Sequence, residues 1–284
     1  MIPMESDKEL SECFRTVGDR YGYDRTFARY ADFRDLKVRW QRTSDVIEFN
    51  VSDYLKDVPD ETMRQLADTL FAKIAGERRG YPPGLENWIG RREFADKHRP
   101  VYLGRCKKVT TDPEGTWKNL DDVVRRLKES KLITGEEDIK VVWTAERTFR
   151  RYAHCSVVMR VVVVSNEMDD ESVPDYVLDW IVYNEYCHIM AGFDPNDPMK
   201  CEDEAELTSR YPMRAKAEWW LREKEDREQR EAESELKWVG RTDATPRSEP
   251  RPGRGDPPGG HGRICLPNAN TPFHCPPMTV ASRH

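Results

Sequence analysis

Val173 to Phe193 reads VPDYVLDWIVYNEYCHIMAGF. A long apolar run with a proline at its opening and Gly192 near its close has the punctuation of a buried α-helix, because proline suits a first helical turn and glycine a helix stop. Asn184, Glu185 and His188 interrupt the apolar surface. Four residues make a little over one turn, so Asn184 and His188 project from one face with Glu185 at its flank. Upstream, SVVMRVVVVS from Ser156 is apolar at nearly every residue, as expected of a strand covered on both faces. Residues 166 to 171 form an acidic turn, with Ser172 and Pro174 where a helix cap and a first-turn proline belong. The motif helix is therefore expected to pack directly after a central strand, in an α+β fold.

Working outward, LKVRWQR and DVIEFNVSDYL alternate apolar and polar residues, which predicts two strands joined as a hairpin through Thr43-Ser44-Asp45. Met63, Leu66, Leu70, Phe71 and Ile74 then follow helical spacing after Asp57-Val58-Pro59, and this helix is expected to lie against the sheet. Residues 77 to 116 read as loop with short helices, and Leu120, Val123, Val124 and Leu127 form the stripe of an amphipathic helix. Ile139 to Thr144 is a further strand. Beyond the motif helix, one helix starts at Glu202, breaks at Tyr211-Pro212 and resumes. No internal repeat is read.

The resulting division is an N-terminal arm or poorly specified helix over residues 1 to 30, a main domain over 31 to 222, a charged helical extension over 223 to 239, and a disordered Pro/Gly/Arg-rich tail over 240 to 284. The chain has 284 residues, a formal net charge of −6 and a mean hydropathy of −0.84, which argues against a broadly basic nucleic-acid surface. No stretch approaches a membrane span. The start, MIPMESDKELSECFR, lacks the regions of a secretory signal, so a cytoplasmic location is expected. Seven scattered cysteines fit reduced thiols better than bridges.

The spacing Asn184-Glu185-x-x-His188 is that of the zinc-binding helix H-E-x-x-H with its first histidine replaced. Catalytic zinc takes three protein ligands and keeps one position open for water. His188 is the candidate helical ligand, Glu185 the candidate general base, and Asn184 a neutral oxygen donor where imidazole suits zinc better. Cys201 leads as third ligand because it follows the loop of residues 193 to 198, with Glu202, Asp203 and Glu204 as carboxylate substitutes and Cys187 as a further contributor. In the competing reading, Glu185 is a buried, hydrogen-bonded carboxylate and no metal is held.

At these residues the chain resembles SprT-like and YgjP-like zinc metallopeptidases, in particular archaeal members of that group. The matching words are VIEFNVSDYL, RPVYLGRCKKVTTDPEG, HCSVVMRVVVVS and VPDYVLDWIVYNEYCHIMAGFDP followed by CEDEAELTSRYP, within about residues 35 to 222. The resemblance implies a zincin-like mixed sheet with packed helices and a bound Zn2+. It places Glu185 on the general base, His188 on the second ligand, Asn184 on the first, and Cys201 on or next to the third. It further implies hydrolysis of peptide bonds in a polypeptide substrate. The alternative is an inactive pseudo-peptidase that binds a protein partner or nucleic acid.

For nucleic acid, the candidate patch is Arg78, Arg79, Arg91, Arg92 and Arg99 interleaved with Tyr81, Trp88 and Tyr102. The competing reading makes these loop arginines over acidic neighbours, and Arg150-Arg151-Tyr152 is open in the same way. His261, Cys265, His274 and Cys275 match no standard zinc-finger spacing. Trp219-Trp220 reads as core or as a partner-binding face.

Overall fold

A computed structural model describes residues 6–43, 46–133, 139–146, 151–192, 202–239 and 261–264. The chain starts with α1 (Asp7–Gly18), whose N-terminus is closed by a reciprocal capping box between Ser6 and Glu9. Its stripe of Leu10, Cys13, Phe14 and Val17 is buried. Strand β1 (Arg25–Ala31) follows and pairs parallel with β3 (Val46–Ser52), while β2 (Val38–Arg42) pairs antiparallel with β3. The hairpin expected between β2 and β3 is present. The N-terminal residues, expected as a poorly specified helix or arm, form a capped helix and an outer strand of the sheet. Side chains of α1 cover that edge, with Ser11 and Asp7 accepting the backbone N–H groups of Ala28 and Tyr30.

After β3 a short 3₁₀ turn, Asp53–Leu55, leads to α2 (Asp60–Ile74), which packs on the sheet through a Phe49–Phe71 contact at 5.1 Å. Residues expected to form loop with short helices contain α3 (Pro83–Ile89) and the longer α4 (Arg92–Arg105). Arg105 closes this part of the molecule by gripping Asp53 with two hydrogen bonds of 2.6 and 2.8 Å.

The same plan is then executed again. Helix α5 (Leu120–Glu129) precedes β4 (Lys140–Trp143), β5 (Ala153–Ser156) and β6 (Val161–Val164). β4 runs parallel to β6 and β5 antiparallel to it, so the order β4-β6-β5 repeats β1-β3-β2. A 3₁₀ turn, Asn166–Met168, leads to α6 (Asp175–Ala191), then α7 (Glu202–Ser209) and α8 (Arg214–Val239). Lys224 of α8 pairs with Glu167 in the turn after β6, as Arg105 of α4 pairs with Asp53 in the turn after β3. Two sequence marks accompany the plan: Val-Pro-Asp at 58–60 and 173–175, and Ala-Gly at 75–76 and 191–192, both glycines at φ +87. A left-handed φ of this size is why glycine ends both helices.

The described chain is thus an α+β protein of two like units, with eight α-helices and two mixed sheets of three strands. His261–Ile264 (β7) adds to the first sheet beside β2; the remainder of the expected tail lies outside the described residues. The expected long strand from Ser156 is a hairpin instead: β5 ends there, Arg160 turns at φ +53, and β6 begins at Val161. Val161 and Val163 face the core of the first unit, and Val162 and Val164 that of the second. The expectation of a strand covered on both faces holds for β6. Below it, Asp169 of the acidic turn accepts the backbone N–H groups of Thr116, Trp117 and Lys118 at 2.5 to 2.9 Å, holding the loop before α5 to the entry of α6.

The two 3₁₀ turns begin on buried serines of opposite status. Ser165 Oγ accepts from Glu167 N at 3.3 Å, whereas Ser52 Oγ has no hydrogen-bond partner among the described residues. Ser165→Ala should therefore cost about 1 kcal/mol in urea unfolding, and Ser52→Ala should be neutral or stabilising by a similar small amount, because it removes a buried hydroxyl without acceptor or donor.

Candidate functional site

Helix α6 is the most enclosed helix of the second unit among the described residues: ten of its seventeen residues are buried. α5, β5, β6, α7 and α8 all pack on it. Its N-cap is Pro174; Ser172, expected as the cap, turns its hydroxyl to Asp170 at 2.6 Å. Arg126 of α5 holds Asp179 through a fork with its closest contact at 2.6 Å. Tyr183 donates to the carbonyl of Leu207 in α7, and Tyr211 donates to that of Tyr176, both at 2.8 Å. Trp180, Tyr183 and Tyr211 form an aromatic stack, with the Arg214 guanidinium lying 5.4 Å from the Trp180 ring centre. None of these anchoring residues was singled out from the sequence, although Tyr211 adjoins the expected helix break.

Against this buried background Asn184, Glu185 and His188 are partly exposed. Helix periodicity puts Asn184 and His188 one turn apart with Glu185 beside them, and the Nδ1 atom of His188 is buried. Cys187 does not share their access: it is 1 % exposed and packs in the core against Tyr183, whose hydroxyl pKa is pushed up by burial first and then by Cys187. Cys201 lies outside the described residues. Glu202, Asp203 and Glu204 belong to α7, which packs on α6, but the side chain of Glu204 and those of its two predecessors lie outside the description. Among the described residues no group of three or more His, Cys, Asp or Glu side chains forms a metal-capable cluster. His188 suits zinc as a nitrogen ligand and Asn184 suits it less well, so the donor set depends on the segment that enters α7.

Among the described residues β5 is the outer strand of its sheet, and it packs on α6. Along it Cys155 points into the second core, and His154 lies on the opposite face of the strand. Burial depresses the His154 pKa, reinforced by the nearby charges of Arg34 and Arg151 and opposed by Asp35.

The arginine-rich segment is placed differently from a continuous binding patch. Tyr81 and Tyr102 are buried in the first core. Arg79 pairs with Asp68, Arg92 with Asp96, and Arg99 with Asp96 and the carbonyl of Met159. Arg91 lies over the Trp88 ring. Arg150 lies outside the described residues. The tryptophan pair divides, with Trp219 exposed at 58 % and Trp220 packed against the second core. No helix of the described residues is long and apolar enough to cross a membrane. Compared with known proteins, the chain matches no family model, no curated protein and no solved structure.

Because the folded His154 pKa lies below the ordinary value of 6.5, the unfolded chain takes up a proton that the folded chain refuses once the pH falls below that value. Stability should be lost between the ordinary and the folded pKa, and retained above both. Urea midpoints at about pH 7.5 and about pH 5.5 read this directly: His154→Gln should flatten the difference. An unchanged pH slope in the variant would assign it elsewhere, beginning with His98, which burial depresses in the same direction.

Proposed function

We propose that the second unit is a zincin-like, zinc-dependent peptide hydrolase whose chemistry is carried by α6. The observation that supports this reading is the contrast between the two like units. Counted from the N-cap prolines Pro59 and Pro174, the positions of Asn184, Glu185 and His188 in α6 are those of Thr69, Leu70 and Lys73 in α2. Thr69 and Leu70 are buried, and Lys73 lies over the Tyr81 ring at 4.7 Å. One unit fills these places with packing residues, whereas the other places an amide, a carboxylate and an imidazole there with partial access to solvent.

In this reading His188 and Asn184 hold zinc from successive turns, with Cys201 or Glu204 as the third donor. The metal, when bound, would polarise a peptide carbonyl and make water a competent nucleophile near neutral pH. Glu185 then takes the proton of the attacking water and passes it to the leaving amine. β5, the outer strand of its sheet among the described residues, lies beside α6, where an extended substrate would add to the sheet. The second reading, a binding module without hydrolysis, is favoured by one feature: a neutral amide stands where an imidazole would hold zinc more firmly.

Metal analysis of the purified chain and of His188→Ala should give zinc that the variant loses. In a protein-degradation assay, Glu185→Ala should abolish hydrolysis with the metal retained, and Asn184→His should raise both zinc retention and rate by about tenfold or more. Zinc content unaffected by His188→Ala would remove the metal centre. Hydrolysis indifferent to Glu185→Ala would remove the base.

A further inference from the structure

The first unit contains a cavity that the α6 site does not touch. It has a volume of about 670 Å³ and opens between Asp57, ahead of α2, the end of α3, and the first half of α4. That volume is within the range that small-molecule sites occupy. Its floor is aromatic: Phe94 and His98 are 5 % and 8 % exposed, their ring centres are 4.5 Å apart, and Tyr54 backs His98 edge-on at 5.3 Å. Burial, with Lys97 next in effect, lowers the His98 pKa, so near neutral pH the floor carries no fixed charge.

The rim carries charges of both signs, and they are committed to different degrees. Lys97 and Asp57 neutralise each other across the gap between α4 and the loop before α2. Arg91 and Glu93 flank the start of α4, and neither is in an ion pair among the described residues. Arg91 instead lies with its guanidinium 5.4 Å from the centre of the Trp88 ring, a stacking that holds the fork in place before any ligand arrives. An uncharged ring floor beneath one available cation and one available anion is complementary to a small zwitterion with an apolar body. A simple anion would meet Asp57 and Glu93 as well as Arg91, and a simple cation would meet Arg91 and Lys97.

We propose that this cavity is a binding site for an apolar α-amino acid, its carboxylate on Arg91, its ammonium on Glu93 and its side chain on Phe94 and His98. This site is independent of the chemistry proposed for α6.

The test uses the full chain, with the Trp88 indole N–H resonance as the reporter, assigned by its loss in Trp88→Phe. L-phenylalanine should shift that resonance saturably. Phenylalanine amide, which lacks the carboxylate, and N-acetylphenylalanine, which lacks the ammonium, should each bind about tenfold more weakly. Arg91→Met should weaken phenylalanine by a similar factor without further weakening the amide, and Glu93→Gln should do the same for the N-acetyl compound, since in each case the partner is already missing. Both substituted residues are exposed at a helix start, and unchanged thermal unfolding of the variants confirms that folding is not being read. No saturable shift with any of the three compounds, or losses that simply add, would overturn the assignment.

Discussion

Val161, Val162, Val163 and Val164 are removed from water on both faces, and their side chains divide alternately between two hydrophobic cores. Burying a valine contributes about 1.5 to 3 kcal/mol, so the four together are of the order of a whole domain's net stability. β4 is divided in the same way, with Val142 in the first core and Val141 and Trp143 in the second. The second sheet is therefore the shared wall of the molecule. Because side chains alternate along a strand, a one-residue slip of β6 would exchange its valines between the cores, and both helix layers would have to repack. The register of this strand, and the entry of α6 that follows it, are constrained from two sides.

On that wall the two units solve the same problem differently. α2 has an ordinary amphipathic distribution, with Met63, Leu66, Leu70 and Phe71 inward and Glu61, Arg64 and Gln65 toward solvent. α6 is covered on almost every side, so a polar residue in its second half is costly unless it is engaged. Neighbours that do not serve the candidate site are apolar or tied down: Asp179 by Arg126, Tyr183 by Leu207. Asn184, Glu185 and His188 bring an amide, a carboxylate and an imidazole onto one partly exposed strip of this helix. A local departure from core composition in an otherwise consistent helix is a physical reason to look for chemistry there.

Much of this plan was legible from periodicity alone. Alternation marked β2 and β3, helical spacing marked α2 and α5, and proline and glycine bracketed α6 and the break before α8. Three features escaped. The first thirty residues read only as a poorly specified helix or arm, because charged residues surround a stripe of four buried side chains, although Ser6 and Glu9 spell a capping box; β1 carries no signal of its own in that reading. The turn at residues 157–160 reads as strand in the sequence because Val157, Val158 and Met159 are as apolar as the strands they join, and only the positive φ of Arg160 separates them. Missing both concealed the repeat, since without β1 the first unit lacks its parallel strand, and without the turn the second lacks its hairpin. In residues the two units share Val-Pro-Asp and Ala-Gly, positions set by backbone geometry, while side chains that need only be apolar differ between them.

The candidate site was legible as a pattern on α6, and its completion is a question of how α7 is held. A donor reaching His188 from beyond Gly192 is useful only if its reach is set before it binds, because ordering a loose segment at the moment of binding offsets the affinity gained. α7 begins at Glu202, immediately after Cys201, and is tied to α6 by the Tyr183 hydroxyl on Leu207. Tyr211, stacked on Trp180 and Tyr183 and bonded to Tyr176, holds the far end of α7 against the same helix. The aromatic cluster thus holds the C-terminal end of α7 against α6. In the proposed reading Tyr183 and Tyr211 act as positioning residues, since they hold α7 against the helix that carries His188, although neither carries the chemistry.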